Sequence, residues 1–292
     1  MEVPFMHHVV KALQHIAQHA GPLGRRAAML ARRGEWAQLQ ELRCEPTQYS
    51  DSERFFWDNA CVELLRKCKL PSGIDTVRAA KAAFIVSEQE CAKTNATVSS
   101  LWIDYDPEMQ AALIEVLSVA RKEIAWVLGD LPSEVTFLFS QGATLNDRGK
   151  LTTIPDKMTG RPTIYPHSRD VLLPFFGETA WFRSLCEEQP TMTDPACARG
   201  NRFFTVPKAG KTDRGCCVEA SLNVSAQLGV GRVMRTRLRK WHIDLNEGQD
   251  LHRALAREGS RDGHLATVDM SRASDTVSTE VVRALLPEKW FS

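Results

Sequence analysis

TVPKAGKTDRG, residues 205–215, carries the letters G-K-T. That triplet closes a P-loop, G-x-x-x-x-G-K-[ST], in which backbone N–H groups cradle a phosphate between a buried strand and a helix. The position of the first glycine is Thr205 here, and Pro207 removes one of the N–H groups the cradle needs. No long apolar strand precedes a helix at the right place. The stretch is not a P-loop, and its basic residues need another reading.

Working outward, ten Lys and Arg between Arg199 and Lys240 face only Asp213 and Glu219. The whole chain has a net charge of +1, so this basic character is local. Charge runs are usually solvated faces. Yet Arg232, Arg235 and Arg239 recur at spacings of three and four, which places them in one stripe on a helix predicted over 223–240. A stripe that dense favours phosphate-bearing partners, from nucleic acid to nucleoside triphosphates.

The second signal is HLATVDMSRASDTVS, residues 264–278. A short apolar strand, 265–268, is expected to end at Asp269. A turn of small residues follows, then Asp275, placed to cap a helix running to Leu286. The plain reading is strand, turn and N-cap. The functional reading puts a carboxylate at a strand's C-terminal end, where a Mg²⁺-bound triphosphate could be held. Phosphoryl transfer needs hard oxygen ligands for metal and cations for the leaving phosphates, and the two signals supply one each.

The rest of the 292-residue chain sets bounds. Its composition, 43% hydrophobic and 25% charged, is that of a globular protein. No apolar run approaches a membrane span, and the N-terminus lacks the pattern of a signal peptide. Eight cysteines show no C-x-x-C pair and are read as reduced thiols without zinc spacing. The first half is predicted mostly helical. One helix carries Val9, Val10, Leu13, Ile16 and Ala17, and a second covers 25–42. A third, capped at 50–52, turns Phe55, Phe56, Val62 and Leu65 inward. Two more cover 76–94 and 107–128. Strand-like 135–139 then leads into a long polar stretch reaching Pro166, and 201–206 reads as a strand. Trp57, Trp102, Trp126 and Trp181 read as packing residues, and His242 and His264 as structural.

NRFFTVPKAGKTDRGCCVEASLNVSAQLGVGRVMRTRLRKWHIDLN, HLATVDMSRASDTVS and LLPEKWF, taken in that order, resemble the replicase of the single-stranded RNA bacteriophages, the leviviruses typified by Q-beta and MS2. The likeness is close from about Thr205 to Phe291. Weaker echoes lie at ECAKTNA, 90–96, and FSQGATLNDRG, 139–149. Residues 1–50 add nothing to it. The resemblance implies an RNA-directed RNA polymerase of α+β class with a right-hand fold of fingers, palm and thumb. It implies a helical fingers-associated region over 51–132, fingers over 133–263 and the first palm strand and helix over 264–292, while 1–50 are read from their periodicity as a helical extension.

By the same resemblance, Lys208, Lys211 and Arg214 grip the incoming triphosphate. Asp269 binds catalytic Mg²⁺, one of two ions, with Mn²⁺ as the alternative. The reading of the ribose 2′-hydroxyl falls to Ser274, to Asp275 or to both, and Arg232, Arg235 and Arg239 contact RNA backbone. The implied partners are template, nascent strand and ribonucleoside triphosphates, with host elongation factors Tu and Ts and a ribosomal protein, in the bacterial cytoplasm. The family's Ser/Gly-rich motif and Gly-Asp-Asp hairpin do not occur in these 292 residues. The expectation is an incomplete polymerase, inactive alone, with an unpaired palm strand at 265–268. A non-catalytic RNA-binding protein using 199–240 is the alternative, and a cellular nucleotidyltransferase or reverse transcriptase a third.

Overall fold

The computed structural model describes residues 3–66, 68, 70–101 and 107–291, so Trp102 lies outside the described residues. The chain forms two compact units: 1–85 with 203–216, and 86–202 with 217–292.

The first unit is a helical cluster. Helix α1 (Val3–Ile16) and α2 (Pro22–Arg33) bring Leu13, Ala27, Leu30 and Ala31 into a core with Leu39 of α3 (Trp36–Glu41) and Cys61 and Val62 of α4 (Ser52–Glu63). The single helix expected over 25–42 is two, because Gly34 takes a left-handed φ of 73° and closes α2. The Gly34 and Glu35 amides donate to the Ala31 and Leu30 carbonyls, which satisfies the helix end. Asp51 caps α4 by accepting from the Glu53 amide, as the sequence suggests. Phe56 does not join the core: it is exposed, one step round the helix from half-buried Trp57. Asp58 of α4 is buried and accepts from the Gly24 amide at 2.8 Å and the Tyr49 hydroxyl at 2.9 Å. A side chain at Gly24 would collide with that carboxylate and with Ala20, so glycine lets α2 and α4 close up. Burial, then hydrogen bonds with Cys44 and Asp58, push the Tyr49 phenol up.

The polypeptide passes between the units within α5 (Thr76–Ser100), which outruns its predicted end, and again within the strands β3 (Arg202–Val206) and β4 (Arg214–Val218). The latter two pair with each other, joined by the loop 207–213.

The second unit contains α6 (Pro107–Leu128), α7 (Ile154–Thr159), β1 (Thr163–Ile164), α8 (Pro166–Gly177), α9 (Ala180–Glu188) and β2 (Ala196–Cys197). It continues with α10 (Ser221–Arg239), α11 (Gly248–Asp262), α12 (Thr279–Leu285) and α13 (Glu288–Phe291). Its core gathers Ile164, Phe176, Phe182 and Leu222, with Phe137 and Trp181 packed against them. Strands β1 and β2 are parallel, Thr163 opposite Ala196. Trp181 packs as predicted, its indole N–H on the Met158 carbonyl at 2.8 Å. Trp126 is exposed and lies on Trp241, ring centroids 3.8 Å apart.

Three expectations fail here. Residues 135–139 form no ladder; they run extended along α10, with the Leu138 amide on the Ser225 carbonyl. Gly229 makes that approach feasible, since a Cβ there would sit 2.6 Å from the Thr136 carbonyl oxygen. Residues 265–268 are likewise not a strand: no neighbour among the described residues pairs with them, and Val268 is 81% exposed. The helix expected from Asp275 begins at Thr279 with Ser278 as N-cap, because 271–276 is a turn in which the Asp275 amide donates back to the Arg272 carbonyl. The polar stretch before Pro166 is more ordered than a loop, since it holds α7, closed by a Thr153–Asp156 capping box, and β1.

A buried polar network fixes that stretch to the start of α10. The Thr163 amide donates to the Ser221 hydroxyl and the Ser221 amide to the Thr163 hydroxyl, both at 2.9 Å, so Thr163 supplies the cap that Ala220 lacks. Thr144 donates to Asp147, and Asn146 bridges to Arg161 and Thr163. Burial lowers the Lys157 ammonium, which Asp147 partly offsets, and its Nζ donates to the Ser140 carbonyl. Tyr165 donates to Glu219 at 2.5 Å, and burial, more than that bond, pushes its phenol up to about 12. The stability this phenol contributes is fully present below its ordinary value of 10.0 and is lost as pH rises through about 12. Tyr165→Phe is expected to cost about 1.5–3 kcal/mol, as a bond to a carboxylate does, and to flatten the alkaline fall in melting temperature. An unchanged alkaline melting profile would contradict this.

Candidate nucleotide and RNA sites

In the first unit, the 207–213 loop is pinned by its backbone. The Gly210 amide donates to the Arg66 carbonyl at 2.9 Å and the Asp213 amide to the Thr76 carbonyl at 3.1 Å. Gly210 is buried, and its N–H is spent on protein, which settles the G-K-T question: this glycine serves packing and not a phosphate cradle. What the loop offers a ligand is side-chain charge. Lys208 and Arg214 are exposed, with no ion pair among the described residues. Lys211 is half-buried and paired with Glu41, whose carboxyl is held below the usual range first by that hydrogen bond and then by the lysine's charge. Of the three predicted cations, two are free and one is engaged.

The remaining predicted residues belong to the second unit. Asp269 is exposed on the extended 264–270 segment. Ser274 donates to the Asp275 carboxylate at 3.2 Å, so the two candidates for the ribose stand together. The turn carrying them is strained: Arg272 has a φ of 55°, which costs a non-glycine residue about 1–3 kcal/mol. Its guanidinium is anchored on α5, 3.0 Å from Glu90. Cys91 donates to the Asp275 carbonyl at 3.5 Å, and Asn95 accepts from the Glu280 amide at 2.9 Å. Glu90, Cys91 and Asn95 all lie in ECAKTNA. Sequence reasoning found that string only as an echo; its signal was three polar residues within six positions of a helix, which are a clamp for residues 272–280. Glu90→Ala is expected to speed amide exchange across 271–276 about fivefold, the worth of a half-exposed pair of about 1 kcal/mol. Exchange equal to wild type would remove Glu90 from this role.

The fit of a divalent ion can be judged from the donors. Asp269 and Asp275 are hard oxygen donors of the kind Mg²⁺ takes. Among the described residues, however, the three-ligand group is Glu258, Asp262 and His264, all exposed, and it includes neither. The carboxylates therefore suit the ion in kind but do not complete a set, and no catalytic geometry follows from them.

The basic stripe on α10 is present. Arg232, Arg235 and Arg239 line a surface concavity of about 460 Å³ with Gln227 and Asn246. They are not equivalent. Arg239 is 2.9 Å from Asp244, and Arg235 reaches Asn246 at 3.4 Å, while Arg232 has no ion pair among the described residues. Asp244 is held low chiefly by the amides of Asn246 and Glu247, with Arg239 contributing less. No helix among the described residues is long and apolar enough to cross a membrane, and all eight cysteines are free thiols.

Residues 35–292 match the family model described as RNA replicase, beta-chain. The RNA-directed RNA polymerase subunit beta of Enterobacteria phage SP is 36% identical over 227 residues, 76% of this chain and 38% of that protein. That of Escherichia virus Qbeta is 36% identical over 224 residues, 75% of this chain and 36% of its own. The RNA-directed RNA polymerase beta chain of Escherichia phage MS2 is 47% identical over 93 residues, 32% of this chain and 17% of its own. The chain thus spans less than two fifths of the length of these curated relatives.

Proposed function

The chain belongs to the RNA replicase beta-chain family, and on that premise we propose that it carries the triphosphate-gripping and first metal-binding parts of an RNA-directed RNA polymerase. In this reading 133–263 are fingers, 264–292 open the palm, 1–50 are a helical extension and 51–132 a helical fingers-associated region. Lys208 and Arg214 take the incoming triphosphate, joined by Lys211 once it exchanges Glu41 for phosphate. Ser274 and Asp275 hold the ribose 2′-hydroxyl. The 3′-hydroxyl of the growing strand attacks the α-phosphate, and pyrophosphate leaves toward the loop's cations. Mg²⁺, or Mn²⁺ in its place, when bound would neutralise phosphate charge, and Asp269 is the residue that would hold it. The strand's backbone lies on Arg232, Arg235 and Arg239, a sequence-independent contact. Host factors Tu and Ts and a ribosomal protein are partners on the family's account alone.

The observation that carries this reading is the pinned 207–213 loop with two unmatched cations, Lys208 on the loop and Arg214 at the start of β4, inside a family match that also spans Asp269. These 292 residues contain no Gly-Asp-Asp, so by themselves they are expected to bind nucleotide and RNA without joining nucleotides. The test is a Lys208→Ala, Arg214→Ala double variant of a replicase carrying this segment. Its KM for ribonucleoside triphosphate should rise at least about tenfold, each charge-assisted contact being worth ~1.5–3 kcal/mol. An unchanged KM would remove the loop from the site. A non-catalytic RNA-binding role is favoured by one observation, the arginine-lined concavity on α10. It predicts binding indifferent to Mg²⁺.

A further inference from the structure

Two concavities meet on α10. One is the arginine-lined surface of about 460 Å³. The other, about 600 Å³, lies between α8 and α10, with Phe291 of α13 in its wall. Gln227 and Gly231 line both, so the two adjoin. Their linings differ in kind. The first is cationic, whereas Val171, Leu172, Val230, Met234 and Phe291 make the second an apolar groove. No acidic side chain lines either.

Gly231, at the border, is a glycine that packing does not explain. Glycine weakens a helix interior relative to alanine, so its presence there points to something brought close to the backbone. At Gly229 that neighbour is the 135–139 segment, but at Gly231 an added Cβ would meet nothing within 4 Å. The open space lies where a ligand passing from the arginines into the groove would cross the helix. Gln227, the other shared residue, is exposed, and its carboxamide makes no hydrogen bond among the described residues. His167 lines the groove with its ring nearly parallel to that of Tyr165, 12° apart at a centroid distance of 5.6 Å. A flat ring, the polarisable Met234 thioether and a free amide beside an apolar wall suit an unpaired base, which needs a face to stack on and a polar partner for its edge. The volume falls within the range of about 300–1,000 Å³ found for small-molecule sites. A protein helix could fill the apolar groove but would leave the adjoining guanidinium groups unused. A strand carrying both phosphates and bases uses the two concavities together.

We propose that the groove between α8 and α10 receives an unpaired base of the RNA strand whose phosphates lie on Arg232, Arg235 and Arg239, the strand turning over Gly231. The proposal rests on the reading that this stripe carries RNA backbone, and adds a base-binding site that the cations by themselves cannot supply.

The experiment measures binding of the 292-residue chain to a labelled, unstructured oligoribonucleotide and to an abasic oligomer of the same length. Wild type should bind the first about tenfold more tightly than the second, the worth of one stacked base. Gly231→Leu fills the border. It should weaken the oligoribonucleotide about tenfold, to the level of the abasic oligomer, and leave the abasic affinity and the salt slope as in wild type, since no phosphate contact is lost. Gly231→Ala, too small to reach the base, should bind both probes as wild type does. Both melting temperatures should hold or rise, because a better helix former replaces glycine inside a helix; lost binding then cannot be lost folding. Gln227→Ala, at an exposed position, should weaken the oligoribonucleotide about threefold, the worth of one hydrogen bond. Equal affinity of wild type for the two probes, or equal weakening of both by Gly231→Leu, would overturn the proposal. So would wild-type oligoribonucleotide affinity in Gly231→Leu, which would leave the groove to a protein partner. If replacing Arg232, Arg235 and Arg239 by alanine flattens the salt slope while Gly231→Leu binds as wild type, the base site falls and the stripe reading stands. That reading fails separately, if the triple variant keeps the wild-type slope. No binding of either probe by wild type at low salt would overturn both.

Discussion

Asp269→Asn is expected to reduce templated ribonucleotide incorporation by about 10³-fold or more in a replicase carrying this segment, because on the proposed reading it removes the carboxylate that would hold the metal. RNA affinity should stay within about twofold of wild type, since asparagine keeps the shape and the RNA cations lie elsewhere. The residue is exposed and makes no hydrogen bond among the described residues, so the substitution has nothing structural to break. Melting temperature should therefore be unchanged, and loss of activity would be chemical. The pair of readouts separates the two leading functions. Activity surviving in Asp269→Asn would take the carboxylate out of catalysis and leave the RNA-binding reading in front.

The second large effect is expected on α10. Replacing Arg232, Arg235 and Arg239 together by alanine should lower the slope of log affinity against log salt by about two, since each single-strand phosphate contact contributes ~0.7. At moderate salt, affinity for unstructured RNA should fall by about 10–100-fold, equally for different sequences, because these contacts meet backbone and not bases. The single variants should rank unevenly. Arg232 is unmatched, whereas Arg239 must leave Asp244 to meet a phosphate, so Arg232→Ala should cost more than Arg239→Ala. A slope identical to wild type in the triple variant would return the stripe to the status of a solvated face.

How far the sequence spoke for itself differs between elements, for physical reasons. Helices α5 and α6 were legible because their runs are long and lack internal breakers, and α10 was legible from its length and basic stripe despite Gly229 and Gly231. The break at Gly34 was missed because a left-handed glycine looks, in one dimension, like a tolerated one. The strands at 135–139 and 265–268 were misread because a run of apolar residues specifies extended backbone but not a partner. One run lies along α10, and the other stands exposed. Asp275 was read as a helix cap because acid before an apolar face usually is one. The turn closed by Arg272 delays the helix to Thr279.

The candidate site was legible as chemistry and not as geometry. Charge density singled out the 199–240 segment and the resemblance picked Lys208, Lys211 and Arg214 from it, yet nothing in the chain announces that Glu41, 170 positions away, engages Lys211. The clamp formed by Glu90, Cys91 and Asn95 acts across more than 180 positions and is invisible to spacing rules.

The most direct test of the central claim is to find where a triphosphate touches the chain. Periodate-oxidised ATP forms a Schiff base with a lysine beside the bound ribose and phosphates, and borohydride traps it for peptide mapping. The account predicts label on Lys208 or Lys211 that unmodified ATP competes away and that Lys208→Ala, Lys211→Ala removes. Label that ATP does not displace, or displaceable label confined to lysines outside residues 205–219, would contradict it.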